Sequence, residues 1–273
     1  MSHSSSGSSE SEDMVVRLSD IRSLAQLFRI GVLKTAAKHR YKPDAALLDR
    51  VSLFQGDITE MEVDVIVNAA NASLLGGGGV DGAIHAAAGR QLLEECRELG
   101  GCETGDAKIT KAYKLPSKRI IHTVGPVYSR TDIETRARQL ESCYRTSLDI
   151  AVKNDLKHIA FPSISTGIYG YPIVDATHIA LDTVRRFCDS DDGNKLDRVI
   201  FVVWSNKDKE VYETLIPEYF FSEADAHEQS SGASESATDD LPGQAEQEPV
   251  SEELSQLPDA SQHDALAEAP KAH

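Results

Sequence analysis

The chain has 273 residues, of which 40% are hydrophobic, and a formal net charge of −16 at pH 7. That length holds one large domain or two small ones, and the apolar share is enough for a real core. The acidic balance argues against nucleic acid as a direct partner, because phosphate backbones demand clustered Lys and Arg. No run approaches the roughly eighteen apolar residues of a membrane span.

The charge is unevenly placed. Residues 222–273 carry thirteen acidic side chains against one Lys, and so hold twelve of the sixteen net negative charges. That stretch has no aromatic residue and is rich in Ala, Ser, Gln, Glu and Pro. It cannot bury enough apolar area to offset chain entropy and reads as a disordered acidic tail. Residues 1–13 have the same low-complexity character and lack the apolar run of a signal peptide. Cys96, Cys102, Cys143 and Cys188 form no CxxC pair. They read as reduced packing residues of a cytoplasmic or nuclear protein, with zinc binding the weaker alternative.

In chain order, residues 14–49 read as a helical N-terminal extension that packs on the core. Ile21, Leu24, Leu27, Phe28 and Leu33 follow helical spacing over 19–37, with Ser19 or Asp20 placed to cap, and Pro43 breaks the chain. The basic residues between Arg29 and Arg50 read as a solvated face. Strands are expected at 51–54 and 63–69, then a helix over 82–99 stopped by Gly100 and Gly101. Further strands fall at 119–124 and 158–161, helices at 135–154 and 173–188, a buried strand at 198–203 and a last helix at 208–219. Strands alternating with long helices imply a mainly parallel sheet covered on both faces. Ligands of such sheets bind beyond the carboxyl ends of the strands.

Two glycine-bearing loops fall at those ends: VDVIVNAANASLLGGGGVDGAIHAAAG from Val63 and HIAFPSISTGIYGYP from His158. A strand, a glycine loop and a helix start present backbone N–H groups that bind phosphate. Two such loops suggest a diphosphate held from both sides. GGGGVDG has no Lys-Ser/Thr after it, which argues against a P-loop, and no clear ribose-binding acid follows as in a dinucleotide fold. Alone, Gly76 to Gly79 would read as a flexible turn and Asp81 as a helix cap.

GDIT at Gly56, VNAANASLLGGGGVDGAIHAAAG at Val67, GDAKIT at Gly105, IHTVGP at Ile121 and FPSISTGIYGYP at Phe161 together resemble a macrodomain of the MacroD type. The likeness runs over roughly residues 50–221, with every motif in family order. It implies a three-layer α/β/α fold with a mixed, mainly parallel central sheet that binds ADP-ribose. It further implies a hydrolase that removes mono-ADP-ribose from Asp or Glu side chains of proteins and deacetylates O-acetyl-ADP-ribose, with no metal or cofactor; a monomer is the default expectation. A reader that binds without cleaving, or an ADP-ribose 1″-phosphate phosphatase, are the alternatives.

Carried over by motif, the resemblance gives Asp57 an adenine amino group to accept from and puts the Ile58 backbone against the ring. Trp204 ends the last strand, where an aromatic would stack on adenine; a buried core Trp is the competing reading. The diphosphate would lie between Gly77, Gly78, Gly79 and Val80 on one wall and Ser165, Thr166, Gly167, Ile168 and Tyr169 on the other, with Tyr169 closing over the distal ribose. Asn71 would fix that ribose and Asp81 would position a water and deprotonate it, unless the ligand's own phosphate is the base. Asn68 reads as a structural partner of the same loop. His85 reads as packing or loop-bonded rather than as a proton carrier, and His122 as a satisfied interior histidine. No His, Cys or carboxylate set shows metal-ligand spacing.

Overall fold

A computed structural model describes residues 15–225. Residues 1–13 and 226–273 of the expected disordered segments lie outside the described residues; residues 222–225 do not, and there Ser222 donates from its N–H and hydroxyl to the Asp225 carboxylate. The elements run β1 (Val16–Arg17), α1 (Leu24–Arg29), α2 (Ala45–Arg50), β2 (Val51–Gln55), β3 (Met61–Glu62), β4 (Val65–Ala70), α3 (Val80–Ala88), α4 (Arg90–Leu99), β5 (Ala107–Lys111), β6 (Arg119–Val124), α5 (Ile133–Lys153), β7 (His158–Pro162), α6 (Ile173–Cys188), β8 (Arg198–Val203) and α7 (Asn206–Tyr219). None of these helices is long and apolar enough to cross a membrane.

Six strands form one sheet in the order β2-β8-β7-β4-β6-β5, parallel except for β5, which pairs antiparallel with β6. Side chains alternate across a strand. Val65 and Val67, Ile159 and Phe161, and Val199, Phe201 and Val203 therefore join one apolar layer with α1, α2, α5, α6 and α7. Ile66, Ala160, Ile200 and Val202 face the other layer, where α3 and α4 pack. The result is the expected three-layer arrangement. Each fully buried aliphatic or aromatic side chain in these layers contributes about 1.5–3 kcal/mol.

The N-terminal extension departs from the expected helix over 19–37. A 3-10 turn at Leu18–Asp20 ends, and Ser23 starts a new helix through a reciprocal cap: its hydroxyl accepts from Gln26 N–H while Gln26 Oε1 accepts from Ser23 N–H. Gly31, at φ +73, closes α1, and Leu33 turns back so that its N–H reaches the Leu27 carbonyl. α2 was not singled out within the helical extension; Asp44 caps it through the Ala46 N–H. The extension is part of the core, with Leu24, Leu27, Leu33, Leu47 and Leu48 all buried. Buried Arg185 ties it down by donating to the Lys42 and Tyr219 carbonyls.

The expected helix over 82–99 is two helices. Gly89, at φ +85, is both the end of α3 and the start of α4. A residue with a Cβ is disfavoured at that angle, so the chain turns there rather than running on. β5 comes from the GDAKIT motif, whose short alternation did not stand out as a strand in the sequence.

Candidate active site

At the carboxyl ends of β2, β4, β7 and β8 lies a cleft of about 620 Å³, within the range of small-molecule sites. All fourteen residues that the sequence picks out for binding or chemistry line it: Asp57 and Ile58, Asn71, the run from Gly77 to Asp81, the run from Ser165 to Tyr169, and Trp204. Gly56, Gly125, Ser163 and Asp208 line it as well and were missed. Asp208 sits in the first turn of α7, and its N–H is capped by Ser205, a signal visible in the SNKD stretch.

Two walls of backbone donors face each other. Gly79 (φ +63) leads into α3, so the free N–H groups of that helix end open on the cleft beside the glycine run. The opposite loop is pinned by Gly170 N–H to the Gly167 carbonyl, Tyr171 N–H to the Ser165 carbonyl, and the Thr166 hydroxyl to the Ser163 carbonyl. From Gly76 to Gly79 and from Thr166 to Tyr169, no N–H donates to another protein group among the described residues. No Lys or Arg lines the cleft. Such an arrangement receives an anion through backbone dipoles alone. The walls nearly touch, since a Cβ at Gly78 would lie 3.1 Å from Ile168 Cδ1.

Ser165 holds φ +66, a left-handed angle rare for serine, and its buried hydroxyl has no partner among the described residues. Strain of this kind, about 1–3 kcal/mol, gathers where a loop is shaped for a ligand. Gly125 makes the shape possible, because a Cβ there would overlap the Ser165 hydroxyl.

At the adenine end expected from the motif, Asp57 Oδ1 accepts from the N–H and hydroxyl of Thr59, which closes a turn and leaves Oδ2 unused among the described residues. Trp204 is 72% exposed at the rim, which rules out the core reading.

Asp81 lies in the first turn of α3, only 3% exposed. Asn68 Nδ2 donates to its Oδ1 at 2.8 Å, and Asn71 Nδ2 stands 3.4 Å from its Oδ2. Burial raises the Asp81 carboxyl above its usual value, while the Asn68 hydrogen bond and nearby His85 pull the other way. Asn71 organises its own loop: its Oδ1 accepts from Ser73 N–H and hydroxyl, and its Nδ2 donates to the Gly76 carbonyl at 2.8 Å. A Cβ at Gly77 would crowd this pair, standing 3.1 Å from both Asn71 Nδ2 and Asp81 Oδ2.

His85 Nε2 lies 3.6 Å from Asp81 Oδ1 and has no hydrogen-bond partner among the described residues. Although sequence spacing shows no metal set, the fold brings one atom each of His85, Cys96 and His122 within 4.8 Å of one another. The donor chemistry does not fit a cation well. His122 Nε2 is already 2.9 Å from the Thr110 hydroxyl, and burial pushes the Cys96 thiol up to about 11, so without a cation it is neutral.

Comparison with known proteins accords with this geometry. The Macro domain family matches residues 67–180. The chain is 51% identical over 190 residues to the ADP-ribose glycohydrolase MACROD1 of Rattus norvegicus, covering 70% of this chain and 73% of that protein. The chain belongs to the macro domain family. It is also 55% identical over 175 residues to the ADP-ribose glycohydrolase MACROD2 of Xenopus laevis, covering 64% of this chain but only 42% of that relative. The Trypanosoma brucei macrodomain solved in complex with ADP-ribose is 39% identical, with a TM-score of 0.63, and the match covers 74% of this chain and 77% of that one.

Proposed function

We propose that this macrodomain binds ADP-ribose and hydrolyses the bond between the distal ribose and an Asp or Glu side chain of a modified protein, releasing ADP-ribose and the free carboxylate. The observation that carries this reading is the placement of Asp81: a buried carboxylate fixed from behind by Asn68, opening on the cleft between two walls of unused N–H groups. Two relatives bearing the name ADP-ribose glycohydrolase and a related macrodomain solved with ADP-ribose support it.

Adenine stacks on exposed Trp204 and donates its amino group to Asp57 Oδ2. The diphosphate takes the N–H groups of both loops. The distal ribose then reaches Asn71 and Asp81 under Tyr169. Asn71 exchanges its long contact to Asp81 for a ribose hydroxyl. Asp81 orients one water, whose oxygen bonds to the anomeric carbon as the bond to the carboxylate breaks. The water's proton passes to Asp81 or to a phosphate oxygen of the ligand, and the leaving carboxylate keeps the bonding electrons. Positioning of this kind supplies much of an enzyme's acceleration. The scheme uses no metal or cofactor. O-acetyl-ADP-ribose carries an acetyl ester on a hydroxyl of the same distal ribose and is a second substrate on this reading, with the water bonding to the acetyl carbon, the acyl–oxygen bond breaking, the ribose oxygen taking a proton and acetate leaving.

The test is product analysis by mass spectrometry on three substrates: a protein modified on glutamate, O-acetyl-ADP-ribose and ADP-ribose 1″-phosphate. Release of ADP-ribose from the first two supports the reading. Inorganic phosphate from the third alone would replace it with a phosphatase, and tight ADP-ribose binding with no product would make the protein a reader.

A further inference from the structure

Beneath Asp81 the sheet carries a buried polar chain that the proposed chemistry does not use. Asn68 on β4 and His122 on β6 are register partners, so their side chains emerge side by side on the face covered by α3 and α4. Both are 0% exposed. Thr110, on the edge strand β5, reaches the same imidazole from the other side. One atom, Asn68 Nδ2, contacts both Asp81 Oδ1 at 2.8 Å and His122 Nδ1 at 3.1 Å.

With Asp81 ionised, these contacts favour one proton arrangement. The Thr110 hydroxyl donates to the Lys111 carbonyl at 3.1 Å, so towards His122 Nε2 it is an acceptor. That places the imidazole proton on Nε2 and leaves Nδ1 as a lone pair. A lone pair there requires a donor, which is the amide NH₂ of Asn68. The second hydrogen of the same NH₂ then points at Asp81. In the opposite tautomer, Nδ1–H would call for the Asn68 carbonyl oxygen at that spot, facing an Asp81 carboxylate oxygen. Asn68 Oδ1, in the present arrangement, is buried with no partner, so the amide is oriented by its NH₂ side alone.

We propose that Thr110 and His122 are positioning residues for hydrolysis, locking the Asn68 amide so that it donates to Asp81 and holds this carboxylate ionised and aimed at the cleft. The proposal rests on the reading that Asp81 serves the hydrolytic step. Burial holds the His122 imidazole down to about 3, so it stays neutral through the working range and keeps its tautomer. The titratable groups around Asp81 are His85 on its own helix, Cys96 on α4 and His122 on β6; Asn68 from β4 and Asn71 from the loop complete its surroundings.

The test uses the full-length protein with Thr110→Val, Thr110→Ser, His122→Leu and Asp81→Ala. In ¹⁵N-histidine NMR, His122 is expected as the Nε2–H tautomer, without titration across the neutral range. Thr110→Val and His122→Leu are expected to lower kcat by about tenfold, the scale seen for outer-shell partners. ADP-ribose affinity should hold within about twofold, because uniform binding is untouched. The acidic limb of kcat should move to higher pH, as Asp81 loses the hydrogen bond that lowers its pKa. Thr110→Ser restores both. A merely structural role would reduce the folded fraction without moving the limb. An Nδ1–H tautomer overturns the proposal. So do folded Thr110→Val and His122→Leu proteins with wild-type kcat and pH profile while Asp81→Ala has lost turnover. Full turnover by Asp81→Ala overturns the underlying reading of the site and this proposal with it.

Discussion

Asn68 Nδ2 stands 2.8 Å from Asp81 Oδ1, and both side chains are buried, so the carboxylate at the heart of the cleft is held by a donor from the sheet. Burial still wins, and the Asp81 carboxyl is raised above 3.8. Because the ionised form orients the water, turnover falls as pH drops through that raised value. A kcat profile from about pH 4 to about pH 9 should show an acidic limb displaced upward from the ordinary Asp value. The same shift has a stability consequence. A carboxyl with a raised folded pKa binds its proton more tightly when folded, so ionising it costs stability as pH rises through the window between 3.8 and the raised value. Asp81→Asn, which keeps an acceptor for Asn68, should therefore melt at or above the wild-type temperature at neutral pH. Turnover that stays flat to the acid end would contradict the assignment.

Asp57→Ala should weaken ADP-ribose binding by about tenfold to a hundredfold, the scale of losing a hydrogen bond to a charged group. The contact exists before and during reaction, so kcat at saturation should hold. Calorimetry showing equal affinity for mutant and wild type would reject the adenine contact.

Gly125→Ala should push the Ser165 hydroxyl from its place and disturb the diphosphate wall, with a stability loss of about 1–3 kcal/mol from overpacking. Ser165→Gly should act the other way on strain, because glycine takes φ +66 without a Cβ clash. Denaturant melts and ADP-ribose titrations on the two variants separate these effects. A Gly125→Ala protein with wild-type stability and affinity would mean the wall is softer than its geometry implies.

Removing residues 1–13 should leave turnover and melting temperature unchanged, whereas removing residues 1–49 should abolish folding. The second deletion strips five buried leucines from the core and leaves the Arg185 guanidinium without the Lys42 carbonyl. Thermal melts of the two truncations test this; a cooperative melt at the wild-type temperature after the longer cut would show the extension to be dispensable.

Much of the fold was legible because its signals are local. The β-branched strands and the amphipathic α5 and α6 announce themselves by period, and three spans, Arg119–Val124, Ile173–Cys188 and Arg198–Val203, fall where the pattern puts them. The failures are equally physical. Gly89 looks tolerable inside a helix until its φ of +85 splits α3 from α4. The apolar spacing of 19–37 is real, but Ser23 and Gln26 cap a new start inside it and Gly31 ends the helix early. At the site, motif residues converge on one cleft; Gly125 of IHTVGP was not picked out because its role depends on a tertiary contact with Ser165, while Asp208 comes from a segment whose sequence says nothing about a ligand. The Thr110, His122 and Asn68 chain depends on strand register, which no local pattern of these three residues encodes.

The most direct measurement is release of ADP-ribose from a protein mono-ADP-ribosylated on glutamate or aspartate, with wild type and Asp81→Ala side by side in EDTA. The account predicts release by wild type and at least about a hundredfold less by Asp81→Ala, the order expected for loss of acid–base assistance, with ADP-ribose affinity retained in both. Equal release by the two proteins would contradict the central role given to Asp81.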